Sequence, residues 1–283
     1  MQYHVNGRLV PAEEATVSVR DRGFMYGDAG FETLRAYGGT IFEWEAHVNR
    51  LRRTCEALSI DHGIGDDELQ ARIHETLDAN DVRDAYVKCS ITRGVQPGKL
   101  TPAPADNPTV VIIVSELPRG GKRGTSVWDG SATAEIVETR RVPDQALPAH
   151  AKTHNYLNGV LARLETEADE ALMLDSDGNL TEGATSNLFF VREGVLHTPS
   201  LSGPVLPGIT RKVVLELAEE VGIPTRTGCY RPDDLRRADE AFLTNTTWEV
   251  RPVGSLGGEE FAVGSVTREL AAAFDALVES RHY

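Results

Sequence analysis

The sequence predicts an α/β chain of two domains, and three observations carry that reading. Strand-like alternation and helical periodicity follow one another along the first part of the chain. A stretch of Pro, Gly and charge without periodicity, LPRGGKRG, then breaks the pattern. The length of 283 residues suits two cores better than one. The expected division is a small N-terminal α/β domain over 1–116, an interdomain loop over 117–124, and a larger domain over 125–283.

The elements follow in order. Asn6-Gly7 is a two-residue turn signal and predicts a hairpin over 3–10. FETLRAYGGTIFEW gives two alternating strands about Gly38-Gly39. Val48, Leu51, Cys55 and Leu58 recur at helical spacing over 46–59, and 66–78 predicts a second helix. AYVKCSITRG is a strand and TVVIIVSEL a buried one. Past the loop come strands near 125–140. Leu157, Val160, Leu161 and Leu164 then form one stripe of an amphipathic helix over 156–168. EALMLD and NLFFV are strands separated by a turn at Ser176–Asn179, and a turn at Glu193-Gly194 leads to VLHT. A helix starts near Ile209 and stops at Gly222. EAFLTN is a strand and 266–281 a last helix.

Composition excludes several function classes. Lys and Arg number 29 against 43 Asp and Glu, a net charge of −14, the wrong sign for a nucleic-acid partner. The three cysteines, Cys55, Cys89 and Cys229, are scattered, with neither metal spacing nor a disulfide framework. MQYHVNGRLV has no secretory pattern, and no apolar run approaches the roughly 18 residues of a membrane span. A cytoplasmic protein without metal or membrane partner is expected.

Three features carry chemistry. Lys152 is one of few lysines and precedes a helix in AHAKTHNYLNGVLARLE. An amine that can be desolvated or set beside another cation can lose its proton and form a Schiff base. Glu182, in Thr-Glu-Gly-Ala-Thr-Ser-Asn at a strand exit, can supply an anion to a ring nitrogen, with small neighbours letting a flat ring approach. Gly208-Ile209-Thr210 opens a helix whose free N–H groups suit a phosphate. Thr244-Asn245-Thr246-Thr247 offers further donors, and Arg50 a fork of counter-charge. Amine, anion and phosphate cradle are the handles that hold pyridoxal 5'-phosphate.

The motifs RDRGFMYGDAGFETLRAY, KTHNYLNGVLARLE, DEALMLDSDGNLTEGATSNLFFV, LPGITR and ADEAFLTNT span nearly the whole chain. In them the chain resembles the class IV, fold-type IV pyridoxal-phosphate enzymes: branched-chain and D-amino-acid aminotransferases and aminodeoxychorismate lyases. The resemblance implies a larger domain with a β-barrel-like core flanked by helices, and a homodimer. It implies that Lys152 is the catalytic Schiff-base lysine, Glu182 the partner of the pyridine nitrogen, and Tyr156 a neighbour of the phenolic oxygen. Arg50, Gly208, Ile209, Thr210 and Thr246 are the implied phosphate ligands, Leu206 packs on the ring, and Thr185, Ser186 and Asn187 complete the cofactor site.

Substrate class divides the resemblance. Phe31-Glu32-Thr33, Lys88 and Ile91-Thr92-Arg93-Gly94 look more like the lyases, whereas Asn155-Tyr156-Leu157-Asn158 and Glu182-Gly183-Ala184 look like aminotransferases. The Pro-Arg-x-His run of D-amino-acid enzymes is replaced by Pro97-Gly98-Lys99-Leu100. A substrate carboxylate needs a cation, and Arg35, Lys88 and Arg93 are the candidates. Tyr26, Phe31, Trp128, Thr33 and Thr247 complete the expected substrate pocket. The expected activity is ping-pong transamination between an apolar, branched-chain-like amino acid and 2-oxoglutarate, with aminodeoxychorismate cleavage or D-amino-acid or amine transamination as alternatives.

Overall fold

A computed structural model describes residues 1–118 and 130–283. The chain divides into two compact units: Met1–Lys122 with Ala151–Asn155 and His282–Tyr283, and Arg123–His150 with Tyr156–Arg281. The segment carrying Lys152 therefore folds with the first unit, inside the span that the sequence assigned whole to the second. Most of the expected interdomain loop, residues 119–124, lies outside the described residues, as does Trp128.

The first unit is built on a six-stranded antiparallel sheet of β1 (Gln2–Val5), β2 (Arg8–Pro11), β3 (Ala29–Tyr37), β4 (Thr40–Ile41), β5 (Ala85–Thr92) and β6 (Thr109–Glu116). Their order is β2-β1-β6-β5-β3-β4. Asn6 and Gly7 both have positive φ, 50° and 83°, the backbone that a tight hairpin requires. Helices α2 (Trp44–Ala57) and α3 (Asp66–Asp78) contribute Val48, Leu51, Cys55, Leu69, Ile73 and Leu77 to a core with Leu34, Val87 and Ile112. A short helix, α1 (Arg22–Tyr26), was not legible in the sequence. Asp21 caps it through the Gly23 N–H and Gly27 ends it in the left-handed conformation.

A buried ion pair joins β3 to α2. Glu32, 1% exposed, accepts Arg50 Nε at 2.7 Å and Nη2 at 2.7 Å, and lies 2.8 Å from His47 Nδ1. Burial pushes the Glu32 carboxyl up, but Arg50 and then His47 outweigh it and hold the pKa at about 2. Burial lowers His47 despite Glu32.

The second unit carries a nine-stranded mixed sheet: β7 (Ala132–Arg140), β8 (Glu170–Leu174), β9 (Leu180–Gly183), β10 (Asn187–Arg192), β11 (Val195–Pro199), β12 (Thr225–Gly228), β13 (Glu240–Asn245), β14 (Glu249–Leu256) and β15 (Glu259–Glu260). The order is β12-β11-β10-β13-β14-β7-β8-β9, with β15 on β14. The connection from β9 to β10 forces this sheet to curl. The two strands stand five places apart, about 24 Å across a flat sheet. Residues 184–186 alone join them, a reach of at most about 14 Å. The result is the curled, barrel-like core that the resemblance implies. Helices α4 (Leu157–Leu164) and α5 (Ile209–Glu220) each connect parallel neighbours, followed by α6 (Pro232–Arg236) and α7 (Ser265–His282). Phe189 and Phe242 stack in register at 4.9 Å. Strands β12, β14 and β15 and helix α6 escaped the sequence reading; TRTG, for instance, has no apolar face.

Helix α4 reverses its expected orientation. Leu157, Val160, Leu161 and Leu164 are 64%, 51%, 48% and 78% exposed, while Ala162 is buried. The helix docks on Val137, Ala171, Met173 and Ala184 through Ala162, with Gly159 also approaching Ala184. Small residues bring the helix backbone close to the sheet, and the long aliphatic residues are left outside.

Three outcomes test these contacts. Ala162→Leu overpacks the close face and is expected to destabilise by about 1–3 kcal/mol in thermal or denaturant unfolding. Glu32 titrates near 4.5 when unfolded and about 2 when folded, so its stabilisation is present above pH 4.5 and is lost toward pH 2. His47, buried neutral, adds a loss that begins as pH falls below 6.5, where the unfolded chain takes the proton. Unfolding free energy measured against pH should fall in those two windows. Glu32→Gln should remove the lower one and cost about 3–5 kcal/mol at neutral pH, because Arg50 stays buried without its carboxylate.

Candidate active site

In the first unit, the odd-numbered residues of β3 face away from Glu32. Phe31, Thr33 and Arg35 pair in register with Ser90, Lys88 and Tyr86 of β5, so these six share one face. The segment carrying Lys152 docks beside it. Phe31 N–H donates to the Lys152 carbonyl at 2.9 Å, and Lys152 N–H donates to Thr54 Oγ1 at 2.9 Å. Gly30 permits that approach, since a Cβ there would lie 2.6 Å from Thr54 Cγ2. Lys152 Nζ sits 4.7 Å from the Phe31 ring centre and Lys88 Nζ 4.8 Å from the same ring. Burial, and then the Lys152 charge, lower the Lys88 pKa. His154 meets the Phe31 edge at 5.4 Å and Ser90 Oγ at 3.1 Å. Burial, then Lys88, push its pKa down to about 4, so it is neutral at physiological pH.

In the second unit, Glu182 stands on β9 with 6% exposure. Its Oε1 accepts Arg141 Nε at 2.8 Å. Oε2 accepts Asn187 Nδ2 at 3.1 Å and the Leu206 N–H at 3.0 Å. Asn187 also donates to the Leu206 carbonyl at 3.0 Å, tying β9, β10 and the approach to α5 together. Gly208 is the N-cap of α5, with no side chain capping the helix, and Ile209 and Thr210 are buried in its first turn. A Cβ on Gly208 would lie 1.9 Å from Asn187 Oδ1, so only glycine lets the helix start this close to β10. An uncapped helix N-terminus presents N–H groups and a positive dipole end to an anion. At the end of β13, Thr244 Oγ1 is buried without a hydrogen-bond partner among the described residues. Asn245 Oδ1 then gathers the N–H groups of Thr247 and Trp248, and Asn245 Nδ2 reaches the Thr185 carbonyl at 3.3 Å.

Several expected site residues are already committed elsewhere. Thr185 Oγ1 and Ser186 Oγ donate to Glu170 at 2.8 and 2.7 Å rather than standing open to a ligand. Gly183 makes room for the same carboxylate: a Cβ there would fall 2.6 Å from Glu170 Cγ. The small residues of this turn thus make room for a buried glutamate. Arg93 gives Nε and Nη2 to Asp28 and also donates to the Ser59 and Leu58 carbonyls. Arg22 grips the same aspartate at 2.7 Å, so Arg93 is a loop anchor rather than a substrate cation. Arg35 is 1% exposed and donates to the Leu117 and Pro118 carbonyls. Tyr26, 39% exposed, lies under the Arg22 guanidinium. Tyr156 begins α4 at 36% exposure, and Leu206 and Thr246 are half-buried. Thr247 Oγ1 donates to Asn245. Glu32, Arg141 and Glu170 were missed as site residues. Only Glu170 carried a signal, as a charge opening the apolar strand EALML.

No helix of the described residues is long and apolar enough to cross a membrane, and none of their His, Cys, Asp and Glu side chains group as metal ligands. Cys55 and Cys89 are buried and Cys229 exposed, all as free thiols.

Comparison with known proteins places this architecture. The amino-transferase class IV family model matches residues 29–256. A Methanocaldococcus jannaschii protein provisionally named a branched-chain-amino-acid aminotransferase is 37% identical over 280 residues, 97% of this chain and 95% of that one. Aminodeoxychorismate lyase of Bacillus subtilis is 32% identical over 97% of this chain and 92% of its own. D-alanine aminotransferase of Staphylococcus haemolyticus is 31% identical over 98% of each. Among solved structures, the branched-chain aminotransferase of Thermoproteus uzoniensis with norvaline superposes with a TM-score of 0.89 at 31% identity, over 99% of this chain and 95% of that one. The Thermobaculum terrenum branched-chain enzyme in its PLP-bound holo-form gives 0.85 at 29%, over 99% and 94%. With a family model covering most of its length and relatives matching end to end, the chain belongs to the class IV aminotransferases.

Proposed function

We propose that the protein is a pyridoxal-phosphate-dependent transaminase that moves an amino group between an apolar, branched-chain-like amino acid and 2-oxoglutarate. The observation that carries the cofactor reading is Glu182: a buried carboxylate wrapped in donors beside the uncapped start of α5. The residues present fit the group. Lys152 supplies an amine, Glu182 an anion, and the first turn of α5 an anion cradle, with the Thr244 hydroxyl, unpartnered among the described residues, close to Thr246 in sequence. When bound, the cofactor supplies an aldehyde carbon to carry the amino group and a ring that spreads negative charge. Lys152 would hold it covalently and, as a free amine, would take the substrate α-proton. Glu182 would keep the ring nitrogen protonated. The N–H groups at Ile209 and Thr210, the Thr246 hydroxyl and Arg50 would bind the phosphate, and Tyr156 and Leu206 would flank the ring. Phe31 offers the substrate an apolar surface, and Lys88 and Thr33 the polar contacts on the same face.

The relatives support the substrate class: the branched-chain name stands at 37% identity against 32% for the lyase and 31% for the D-alanine enzyme. The lyase is the second reading, favoured by the Thr33–Lys88 pair directly opposed across β3 and β5. We also propose a homodimer, supported by the exposed α4 stripe, whose four aliphatic residues suit a second copy. A cytoplasmic location accompanies it, since all three cysteines are free thiols.

Purified protein given leucine and 2-oxoglutarate should form glutamate with parallel double-reciprocal lines. Aminobenzoate from aminodeoxychorismate, without glutamate, would favour the lyase, and turnover of D-alanine alone the D-enzyme. Lys152→Ala should abolish turnover yet keep measurable cofactor binding; near-native rates would remove the role given to Lys152. Leu161→Glu should shift the sedimentation coefficient toward monomer.

A further inference from the structure

Glu182 does not stand alone: the guanidinium hydrogen-bonded to it belongs to Arg141, a residue with no assigned role, and the charge of the buried Arg211 on α5 also reaches it. Arg141 follows the last residue of β7 and places Nε 2.8 Å from Glu182 Oε1. Its side chain is 21% exposed against 7% for Glu182, so the pair is largely screened from solvent. The backbone around Arg141 is fixed at three points. Arg141 N–H donates to the Leu174 carbonyl of β8 at 2.8 Å. On either side, Asn158 of α4 accepts the Val142 N–H at 3.3 Å and donates to the Arg140 carbonyl at 2.8 Å. Asn158 thus clamps the two residues flanking Arg141, and every one of these partners lies within the second unit. A surface arginine with a casual ion pair would have no such framework.

The chemistry of the pair follows from charge. Burial by itself makes a carboxylate more basic, because desolvation favours its protonated form, while donors to its oxygens pull the other way. A more basic carboxylate opposite a ring nitrogen would keep the shared proton for itself and leave the ring neutral. A guanidinium at hydrogen-bond distance makes the carboxylate less basic, so the proton resides on the ring nitrogen and Glu182 remains the anion. The Asn187 and Leu206 donors on the other oxygen fix its direction but add no charge.

We infer that Arg141 is a positioning residue for the reaction, which holds Glu182 ionised and aimed so that the cofactor ring keeps its proton. This rests on the reading of Glu182 as the partner of the ring nitrogen.

The test uses the holoenzyme reconstituted with cofactor labelled with nitrogen-15 in the ring, with Arg141→Met, Arg141→Lys and Glu182→Gln compared with the parent protein. Circular dichroism confirms that each variant is folded. For Arg141→Met the ring-nitrogen chemical shift should move toward that of unprotonated pyridine across pH 6–9. The turnover number kcat should fall roughly tenfold or more, with KM nearly unchanged. Arg141→Lys keeps the charge without the planar fork and should restore most of the shift and part of the rate. A parent-like shift and kcat in folded Arg141→Met, beside a displaced shift in Glu182→Gln, overturns the inference while leaving the role of Glu182 intact. A parent-like shift in Glu182→Gln overturns the role of Glu182 and the inference with it. If Arg141→Met fails to fold, Arg141→Lys and Arg141→Gln decide: equal shifts in both would show that charge at 141 is immaterial and end the case.

Discussion

A buried carboxylate governs the second unit. Glu170, fully excluded from solvent, accepts the N–H groups of Ala171, Ala184 and Thr185 and the hydroxyls of Thr185 and Ser186. A buried anion is tolerated only when its oxygens are filled with donors. All of those donors except the Ala171 N–H of β8 come from the three-residue connection between β9 and β10, so Glu170 ties down the link that closes the curled sheet. On either side of the link stand Glu182 and Asn187, which touch each other and Leu206 ahead of α5. The direction of the Glu182 carboxylate thus depends on a residue that belongs to the floor of the turn.

The first unit solves a related problem on one strand. β3 turns Glu32 toward Arg50 and His47, and turns Phe31 toward Lys152 and Lys88. The alternation of a strand allows a buried ion pair and a ring flanked by two lysine side chains to be immediate neighbours in sequence. Arg50 is oriented by the first, and Lys152 is positioned by the backbone of the second. Neither requires a long side chain to search for its place, which limits the entropy lost on ordering.

Helix α4 shows how packing overrides pattern. Its aliphatic stripe has the spacing of a core-facing helix, yet Gly159 and Ala162 on the other face allow closer contact with the sheet. The exposed stripe then becomes surface that a monomer leaves in water. Its opposite side carries Asn158, which fixes the backbone around Arg141. One short helix therefore presents an apolar face outward while supporting the carboxylate network inward.

Strand and helix periodicities, the Asn6-Gly7 hairpin, and the residues Lys152, Glu182 and Gly208-Ile209-Thr210 were legible because they rest on local rules: side-chain period, turn chemistry, and a helix that begins at glycine. The chain by itself determined which elements form and which residue types can hold an amine, an anion and a phosphate. Only the tertiary structure decided where those residues spend their hydrogen bonds. It gave Arg93 to Asp28, Thr185 and Ser186 to Glu170, and Arg141 to Glu182, pairs separated by 65, 15, 16 and 41 positions. Desolvation is the reason. A charge taken out of water must be met by whatever donor the fold brings near it, and that meeting depends on three-dimensional proximity, which no local pattern records.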